Sequence, residues 1–240
     1  MRRAAVLLAV LSAVACGAKD RPASSAAATP AAVPAAQTGT SSASKKSLPR
    51  IVVLGDSLTA GLGLPMERAY PSLLERRLNE AGLHYEVVNA GVSGDTSAGG
   101  LSRLDWSLQG DVRILIVALG GNDALRALPV DQLKRNLAQI IERAEARGVT
   151  VILAGMEAPT NWGREYDVSF HKVYPALAQQ YHVAFVPFLL QGVAGSDALN
   201  QRDGIHPTEA GARIVADNVW AVLKPIAEQD QQKREGRGGS

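Results

Sequence analysis

Residues 51–61 read IVVLGDSLTAG, an apolar run that stops at Gly55, Asp56 and Ser57. The leading side chains are valine, isoleucine and leucine, a composition typical of a strand buried in a parallel sheet. Glycine, aspartate and serine are all common turn residues, so the end of the run fits an ordinary turn as well as a turn that presents Ser57 as a nucleophile. The local sequence leaves both interpretations open.

Runs of the same kind recur along the chain, and helical patterns lie between them. The runs with strand character are residues 50–55, 85–91, 112–120, 149–155 and 183–188. Apolar side chains at helical spacing occupy residues 67–82, 130–148, 166–181 and 206–229. Strands that alternate with helices predict a doubly wound α/β fold, in which a parallel sheet has helices on both faces.

The composition fits one soluble folded domain with extra segments at both ends. The chain has 240 residues, 46% hydrophobic and 20% charged, which is enough to bury a substantial core. Its formal net charge of +2 is small, so we expect no nucleic-acid partner. The single cysteine, Cys16, excludes an intrachain disulfide and a cysteine-based metal cluster.

The N-terminal sequence MRRAAVLLAVLSAVAC has the layout of an export signal, with two arginines before an apolar run that ends in small residues. The run is shorter than the roughly 20 residues that span a bilayer. AVAC resembles the lipobox of bacterial lipoproteins, with Ala13 where leucine is usual. The sequence favours a lipoprotein-type signal peptide over residues 1–15 and lipidation of Cys16. The alternative is ordinary cleavage after Ala15, which leaves a soluble secreted protein.

The segments that flank the predicted domain have little capacity to form a core. Residues 16–48 are rich in Ala, Pro, Ser and Thr and have no hydrophobic period, which predicts a disordered tether. Residues 229–240 are polar and glycine-rich, which predicts a flexible tail. The folded domain is then residues 49–228.

Candidate functional residues follow the predicted strands. Ser57 follows the first strand, Gly94 the second and Asn122 the third, while Asp203 and His206 lie just before the last helix. In open parallel sheets, ligands bind at the carboxyl ends of the strands. The sequence therefore predicts a site at one edge of the sheet.

These residue types fit acyl transfer, which needs a nucleophile, a base, a group that orients the base, and donors for the oxyanion. Asp203 and His206 are three residues apart, so a tight turn can join the carboxylate to Nδ1–H and leave Nε2 facing Ser57. Alone, this pair would fit a helix cap equally well. The N–H of Gly94 and the amide of Asn122 are suitable oxyanion donors.

Three other histidines, His84, His171 and His182, compete for the role of base. None has a carboxylate at comparable spacing in a loop at the right edge of the sheet, so we interpret them as structural or surface residues. No pair of histidines has the spacing of metal ligands. We expect neither a metal nor an organic cofactor.

Together, GDSLTAG, SGDTS, GGND and DGIHP resemble the four sequence blocks of the SGNH (GDSL-type) hydrolases, in order and across most of the predicted domain. The resemblance implies a flavodoxin-like three-layer α/β/α sandwich with a five-stranded parallel sheet. Ser57 matches the family nucleophile, and Asp203 and His206 match the rest of the triad. The N–H groups of Ser57 and Gly94 and the amide of Asn122 match the oxyanion hole. No G-x-S-x-G motif supports the α/β-hydrolase alternative.

The segments around these blocks are most similar to the bacterial periplasmic thioesterase/lysophospholipase/arylesterase branch. This implies a serine hydrolase of small-molecule esters and acyl-thioesters that is exported to the periplasm, and we expect a monomer. Members of this branch have a mobile loop after the Asn block that helps to bind acyl chains. Residues 124–129, together with residues 156–163, are therefore the candidate lid. The candidate substrate-binding residues are Ala124, Leu125, Ala158 and Pro159.

Two other hypotheses remain open. Other SGNH branches remove acetyl groups from polysaccharides, so the chain is alternatively a carbohydrate or cell-envelope O-acetyl esterase. The second hypothesis is an envelope-binding lipoprotein that has kept the fold and lost activity, although all the matched site residues are present. Rates on acetyl and octanoyl esters separate the first from a lipid-acyl hydrolase, and labelling of Ser57 by a fluorophosphonate tests the second.

Overall fold

The computed structural model describes residues 47–238, and the predictions for residues 1–46, including the signal peptide and Cys16, lie outside them. Within this range, five parallel strands form one sheet in the order β2-β1-β3-β4-β5. The strands are β1 (Arg50–Gly55), β2 (Glu86–Gly91), β3 (Val112–Ala118), β4 (Thr150–Ala154) and β5 (Ala184–Val186). The predicted parallel α/β sheet is confirmed.

Helices cover both faces of the sheet, which gives the predicted three layers. In the described residues the helices are α1 (Ser57–Ala60), α2 (Tyr70–Glu80), α3 (Ser97–Ser102), α4 (Leu104–Ser107), α5 (Gly121–Leu125), α6 (Val130–Glu145), α7 (Arg164–Tyr181) and α8 (Glu209–Gly238), with 3₁₀ turns at Met66–Arg68 and Thr160–Trp162. α2 packs against α8, and α6 packs against α3 and α7. None of these helices is long and apolar enough to cross a membrane.

The central strands are buried along most of their length, apart from Arg50 of β1 and Arg113 of β3. Residues 51–54 of β1 and residues 114–117 of β3 have no exposed surface. Strands of a parallel sheet with helices on both faces are apolar on both sides, which explains the unbroken runs of valine, isoleucine and leucine. The core therefore lies on either side of β1 and β3.

The strand order creates a crevice between β1 and β3. The chain passes from β1 outward to β2 on one side and then crosses to β3, β4 and β5 on the other. Ligands of open α/β sheets bind at such a reversal, at the carboxyl ends of the strands. Gly55 at the end of β1 pairs with Ala118 at the end of β3, so the segments that begin at Asp56 and Leu119 leave the sheet side by side.

The apolar run of β1 ends at glycine because α1 turns back across the end of the strand. A Cβ atom on Gly55 would lie 2.0 Å from Thr59 Oγ1 and 2.9 Å from the Ala118 carbonyl oxygen. Asp56 caps the short helix, since its Oδ1 accepts the N–H of Leu58 at 3.0 Å. This tight turn places Ser57 at the start of α1, directly after the sheet.

The C-terminal boundary predicted at residue 228 is wrong, because α8 continues to Gly238. Asp230 holds this extension to the domain: it accepts hydrogen bonds from Arg113 at 2.9 Å, Tyr85 at 2.7 Å and Arg234 at 3.0 Å. Polar composition alone predicted a flexible tail. Composition does not reveal that one polar residue is bonded to groups on and beside the sheet.

Replacement of Asp230 by alanine should lower the free energy of unfolding by about 2–4 kcal/mol, because Arg113 and Tyr85 lose a charged acceptor in a partly buried place. Urea unfolding measures this loss. The control is Asp217→Ala on the same helix, whose carboxylate binds Arg77 but is 62% exposed, so about 1 kcal/mol or less should be lost. Equal, small losses in the two variants would contradict the anchoring role of Asp230.

Candidate active site

Ser57, Asp203 and His206 form one hydrogen-bonded chain at the carboxyl edge of the sheet. The Ser57 hydroxyl lies 2.8 Å from His206 Nε2, and His206 Nδ1 lies 2.7 Å from Asp203 Oδ2. The His206 side chain is 16% exposed, and that of Asp203 is 45% exposed. This arrangement can pass the serine proton to the imidazole while the carboxylate orients the ring.

The turn that carries Asp203 also fixes its charge. Its Oδ1 accepts the backbone N–H groups of His206 at 3.0 Å and Ile205 at 2.9 Å. These two bonds, and then the bond from the His206 ring, lower the pKa of Asp203 to about 2. The carboxylate is therefore ionised at neutral pH and selects the tautomer in which Nδ1 of His206 carries the proton.

Gln201 joins the His206 loop to the loop after α1. Its Nε2 donates to the carbonyl oxygens of Leu62 at 2.7 Å and Pro207 at 3.0 Å, and its backbone N–H donates to the carbonyl of His206 at 2.7 Å. These bonds help to hold His206 beside Ser57. Gln201 is not predicted from the sequence, because nothing in QRDG marks it except its position before Asp203.

Asn122 reaches the site from the segment after β3. Its Nδ2 donates to Asp56 Oδ2 at 3.2 Å, which uses one hydrogen of the amide and leaves the second for a ligand. Asp56 is 2% exposed, and burial raises its pKa to about 6 although the bonds from Leu58 and Asn122 oppose this rise. A buried carboxyl group thus accepts a hydrogen bond from the amide of Asn122.

Gly94 lies in the exposed loop after β2, at the same edge of the sheet. Its φ of +85° is in the left-handed region that favours glycine. Its carbonyl accepts Arg126 Nη2 at 2.9 Å, which connects this loop to the segment after α5. Gly94 does not line the cavity described below.

A buried polar cluster connects the Gly94 and Asn122 segments. Asp123 accepts the backbone N–H of Ser97 at 2.7 Å and its hydroxyl at 2.5 Å, and Asn136 Nδ2 donates to Ser97 Oγ at 2.9 Å. The cluster ties α3, α5 and α6 together. The roles of these three residues are not predicted from the sequence, where the only signal is that Ser97 and Asp123 lie within two of the matched blocks.

A cavity of about 370 Å³ opens beside Ser57, His206 and Asn122. Its apolar walls are formed by Leu58, Leu125, Met156, Ala158, Pro159, Phe188, Leu190, Ala194 and Ile205. The volume and the few polar groups among mainly apolar lining residues are typical of a small-molecule site. The carbonyl of a bound substrate could lie at Ser57 with an apolar chain along the walls.

Of the four predicted substrate-binding residues, Ala124 does not line this cavity. It is 1% exposed and packs in the core, so that prediction is wrong for Ala124. Neighbouring residues of a helix point about 100° apart, which is why Leu125 reaches the cavity and Ala124 does not. The structure places Leu125, Ala158 and Pro159 in the cavity wall.

His84, His171 and His182 do not line the cavity beside Ser57. His171 Nδ1 is 2.7 Å from Glu157 Oε1, and His182 ends α7 with a φ of +54°. A larger, more open groove of about 680 Å³ lies between α6 and α7 and contains none of the predicted catalytic residues. Within residues 47–238, no cluster of three or more His, Cys, Asp or Glu side chains is placed to hold a metal ion.

Comparison with known proteins identifies relatives that are named as esterases and thioesterases. The profile of the GDSL-like Lipase/Acylhydrolase family matches residues 53–214. Esterase TesA of Pseudomonas aeruginosa is 46% identical over 73% of this chain and 88% of its own length. Thioesterase 1/protease 1/lysophospholipase L1 of Escherichia coli K12 is 36% identical over 75% and 86%, respectively. The crystal structure of the psychrotrophic esterase EstA from Pseudoalteromonas sp., inhibited by monoethylphosphonate, superposes with a TM-score of 0.71 at 28% identity, over 75% of this chain and 98% of EstA.

Replacement of Asp56 by asparagine should stabilise the protein more at pH 7.5 than at pH 4.5. The fold raises the pKa of Asp56 from 3.8 to about 6 and so favours the protonated form. The wild type therefore loses stability relative to the variant as the pH rises through about 6, by about 2 kcal/mol between these two values. Urea unfolding at both pH values measures the difference.

The control for this pH dependence is Asp111→Asn, which changes a side chain that is 57% exposed at the opposite end of β3. Because this side chain is exposed, its replacement should change the free energy of unfolding by about 0.5 kcal/mol or less. If the stability difference for Asp56→Asn does not change between the two pH values, the carboxyl group of Asp56 does not have the raised pKa described above.

Proposed function

The chain belongs to the GDSL-like lipase/acylhydrolase family and is a carboxylic ester hydrolase, and we propose that it cleaves esters and thioesters through an acyl-enzyme on Ser57. The observation that carries this proposal is the hydrogen-bonded chain from Ser57 through His206 to Asp203 beside an apolar cavity. Arylesterase, acyl-thioesterase and lysophospholipase activities all share this chemistry.

The acylation step begins at the Ser57 hydroxyl. His206 Nε2 takes the proton as Oγ attacks the acyl carbonyl carbon, and Asp203 stabilises the imidazolium that forms. When the tetrahedral intermediate collapses, the bond to the leaving oxygen or sulfur breaks and His206 returns the proton to it. The alcohol or thiol leaves, and the acyl group remains on Ser57.

Deacylation repeats these steps with water as the nucleophile. His206 accepts a proton from water, the hydroxyl oxygen bonds to the acyl carbon, and Ser57 Oγ leaves with the proton from His206. The product is a carboxylic acid. These steps require no metal or organic cofactor.

The oxyanion is stabilised by the N–H groups of Ser57 and Gly94 and by the amide of Asn122 in this proposal. Asp56 orients the Asn122 amide because it accepts one of its hydrogens.

EstA is inhibited by monoethylphosphonate. A phosphonate has the tetrahedral, anionic shape of the intermediate, so its inhibition of a relative supports a site of this kind.

The acyl chain lies along the apolar walls of the cavity in this proposal. Leu125, Met156 and Phe188 form a surface too extensive for an acetyl group alone. This favours esters with longer acyl chains over the O-acetyl esterase hypothesis. Pro159 and the neighbouring residues 156–163, together with residues 125–129, form the proposed lid, while Ala124 of the predicted loop packs in the core.

We further propose that the enzyme is exported to the periplasm and tethered through lipidated Cys16. Support comes from the N-terminal sequence pattern, which lies outside the described residues. The catalytic domain in this proposal acts as a monomer on small-molecule esters.

Replacement of Ser57 by alanine should reduce kcat on p-nitrophenyl octanoate by at least about 1,000-fold, because the acyl-enzyme cannot form. Circular dichroism should show an unchanged fold. Ser72→Ala, which removes an exposed hydroxyl on α2, is the matched control and should keep full activity. Turnover by Ser57→Ala close to that of the wild type would overturn the proposed function.

Replacement of Ala158 by phenylalanine should fill part of the cavity and shorten the preferred acyl chain. We expect kcat/KM on p-nitrophenyl octanoate to fall at least about 10-fold relative to the acetate ester, since a blocked apolar pocket loses about 1–3 kcal/mol of discrimination. The control is Ala176→Phe, in the groove between α6 and α7. If the ratio of kcat/KM on the octanoate ester to kcat/KM on the acetate ester is unchanged in Ala158→Phe, the acyl chain binds elsewhere. A wild-type preference for acetate would favour the O-acetyl esterase hypothesis.

A further inference from the structure

Arg103 connects three separate parts of the site, although it is far from Ser57 in the sequence. It lies between α3 and α4, and its side chain is only 18% exposed. Each of its guanidinium nitrogens donates to a different acceptor: Nε to Asp95 Oδ2 at 2.7 Å, Nη1 to the Ala90 carbonyl at 2.7 Å, and Nη2 to the Gly55 carbonyl at 2.8 Å.

These acceptors belong to the segments that form the site. Gly55 ends β1 and lies two residues before Ser57, while Asp95 directly follows Gly94. The Gly55 carbonyl also accepts the N–H of Val92 at 3.0 Å, so the loop after β2 is bonded directly to the end of β1. The largely buried guanidinium of Arg103 reinforces this junction through its bonds to the carbonyls of Gly55 and Ala90.

We propose that Arg103 is a positioning residue that holds the Gly94 loop against the Ser57 turn, so that the donors of the two segments point at the same oxyanion. The proposal rests on the acyl-enzyme function proposed above. Arg103 does not contact the cavity, so it acts through the backbone of Gly55 and through Asp95.

The planar guanidinium suits this task because its donors are fixed in a fork. Lysine has one ammonium group and cannot reach two strand carbonyls and a carboxylate at once. Oxyanion donors must lie within a few tenths of an ångström of their place, and a shift of about 1 Å can cost about 100-fold in rate. A looser Gly94 loop would weaken binding of the transition state more than binding of the ester itself.

The test is Arg103→Lys, assayed on p-nitrophenyl octanoate with each preparation titrated by a fluorophosphonate to count active sites. We expect kcat per titrated site to fall about 10- to 100-fold while KM stays within about threefold. Inhibition by an alkyl trifluoromethyl ketone, which forms a tetrahedral adduct with the serine, should weaken in parallel with kcat/KM. If Arg103 had only a structural role, its replacement would change the number of active sites. It would leave kcat per titrated site and inhibition by the ketone unchanged.

The matched control is Arg50→Lys. Arg50 also bridges β1 and β2, through a 2.8 Å bond to Glu86, but at the amino edge of the sheet. The Arg50→Lys variant should keep the wild-type kcat per titrated site. Asp95→Asn keeps an acceptor oxygen and should lower kcat in the same direction by a smaller factor, which provides a test if Arg103→Lys does not fold.

The proposal is overturned if Arg103→Lys and Asp95→Asn both turn over at the wild-type rate per titrated site. It is also overturned if Arg50→Lys loses as much kcat as Arg103→Lys. Either result leaves the proposed function intact as long as Ser57→Ala is inactive. Activity of Ser57→Ala would instead overturn the function itself.

Discussion

The site depends on the reversal of strand order beside β1. Because the chain winds outward to β2 on one side and to β3 on the other, the segments after β1 and β3 diverge and leave a crevice at their carboxyl ends. Ser57 and Asn122 lie near the start of these two segments. Residues 51–54 of β1 and residues 114–117 of β3 have no exposed surface, so the backbone that carries the reactive groups starts from the buried centre of the sheet.

At the carboxyl edge of the sheet, polar side chains bonded to backbone atoms set the relative positions of the loops. Arg103 connects the ends of β1 and β2, Gln201 connects the His206 loop to the loop after α1, and Asp123 connects α5 to α3. Loops have few apolar contacts of their own, and a buried or half-buried fork of hydrogen bonds limits their motion. The reacting groups are thus held by a shell of residues that never touch a substrate.

The sequence predicts the sheet and the main helices because strand and helix periodicity are local signals, and the four blocks identify Ser57, Asn122 and the Asp203–His206 pair. It does not predict the roles of Arg103, Gln201 or Asp230. Each acts through partners far away in the chain, and an arginine or glutamine in a polar stretch carries no local mark of its partners. Ala124 was misassigned for a related reason, since adjacent residues of a helix point about 100° apart and only Leu125 reaches the cavity. The extension of α8 to Gly238 depends on Asp230 in the same way.

The central claim is that Ser57 carries the acyl group, and trapping the intermediate tests it most directly. The wild-type enzyme would be mixed with p-nitrophenyl octanoate, quenched in acid within milliseconds, digested and mapped by mass spectrometry. We expect an octanoyl adduct on the peptide that contains Ser57, which disappears as the substrate is exhausted. Full turnover with no adduct, or an adduct on a different residue, would contradict it.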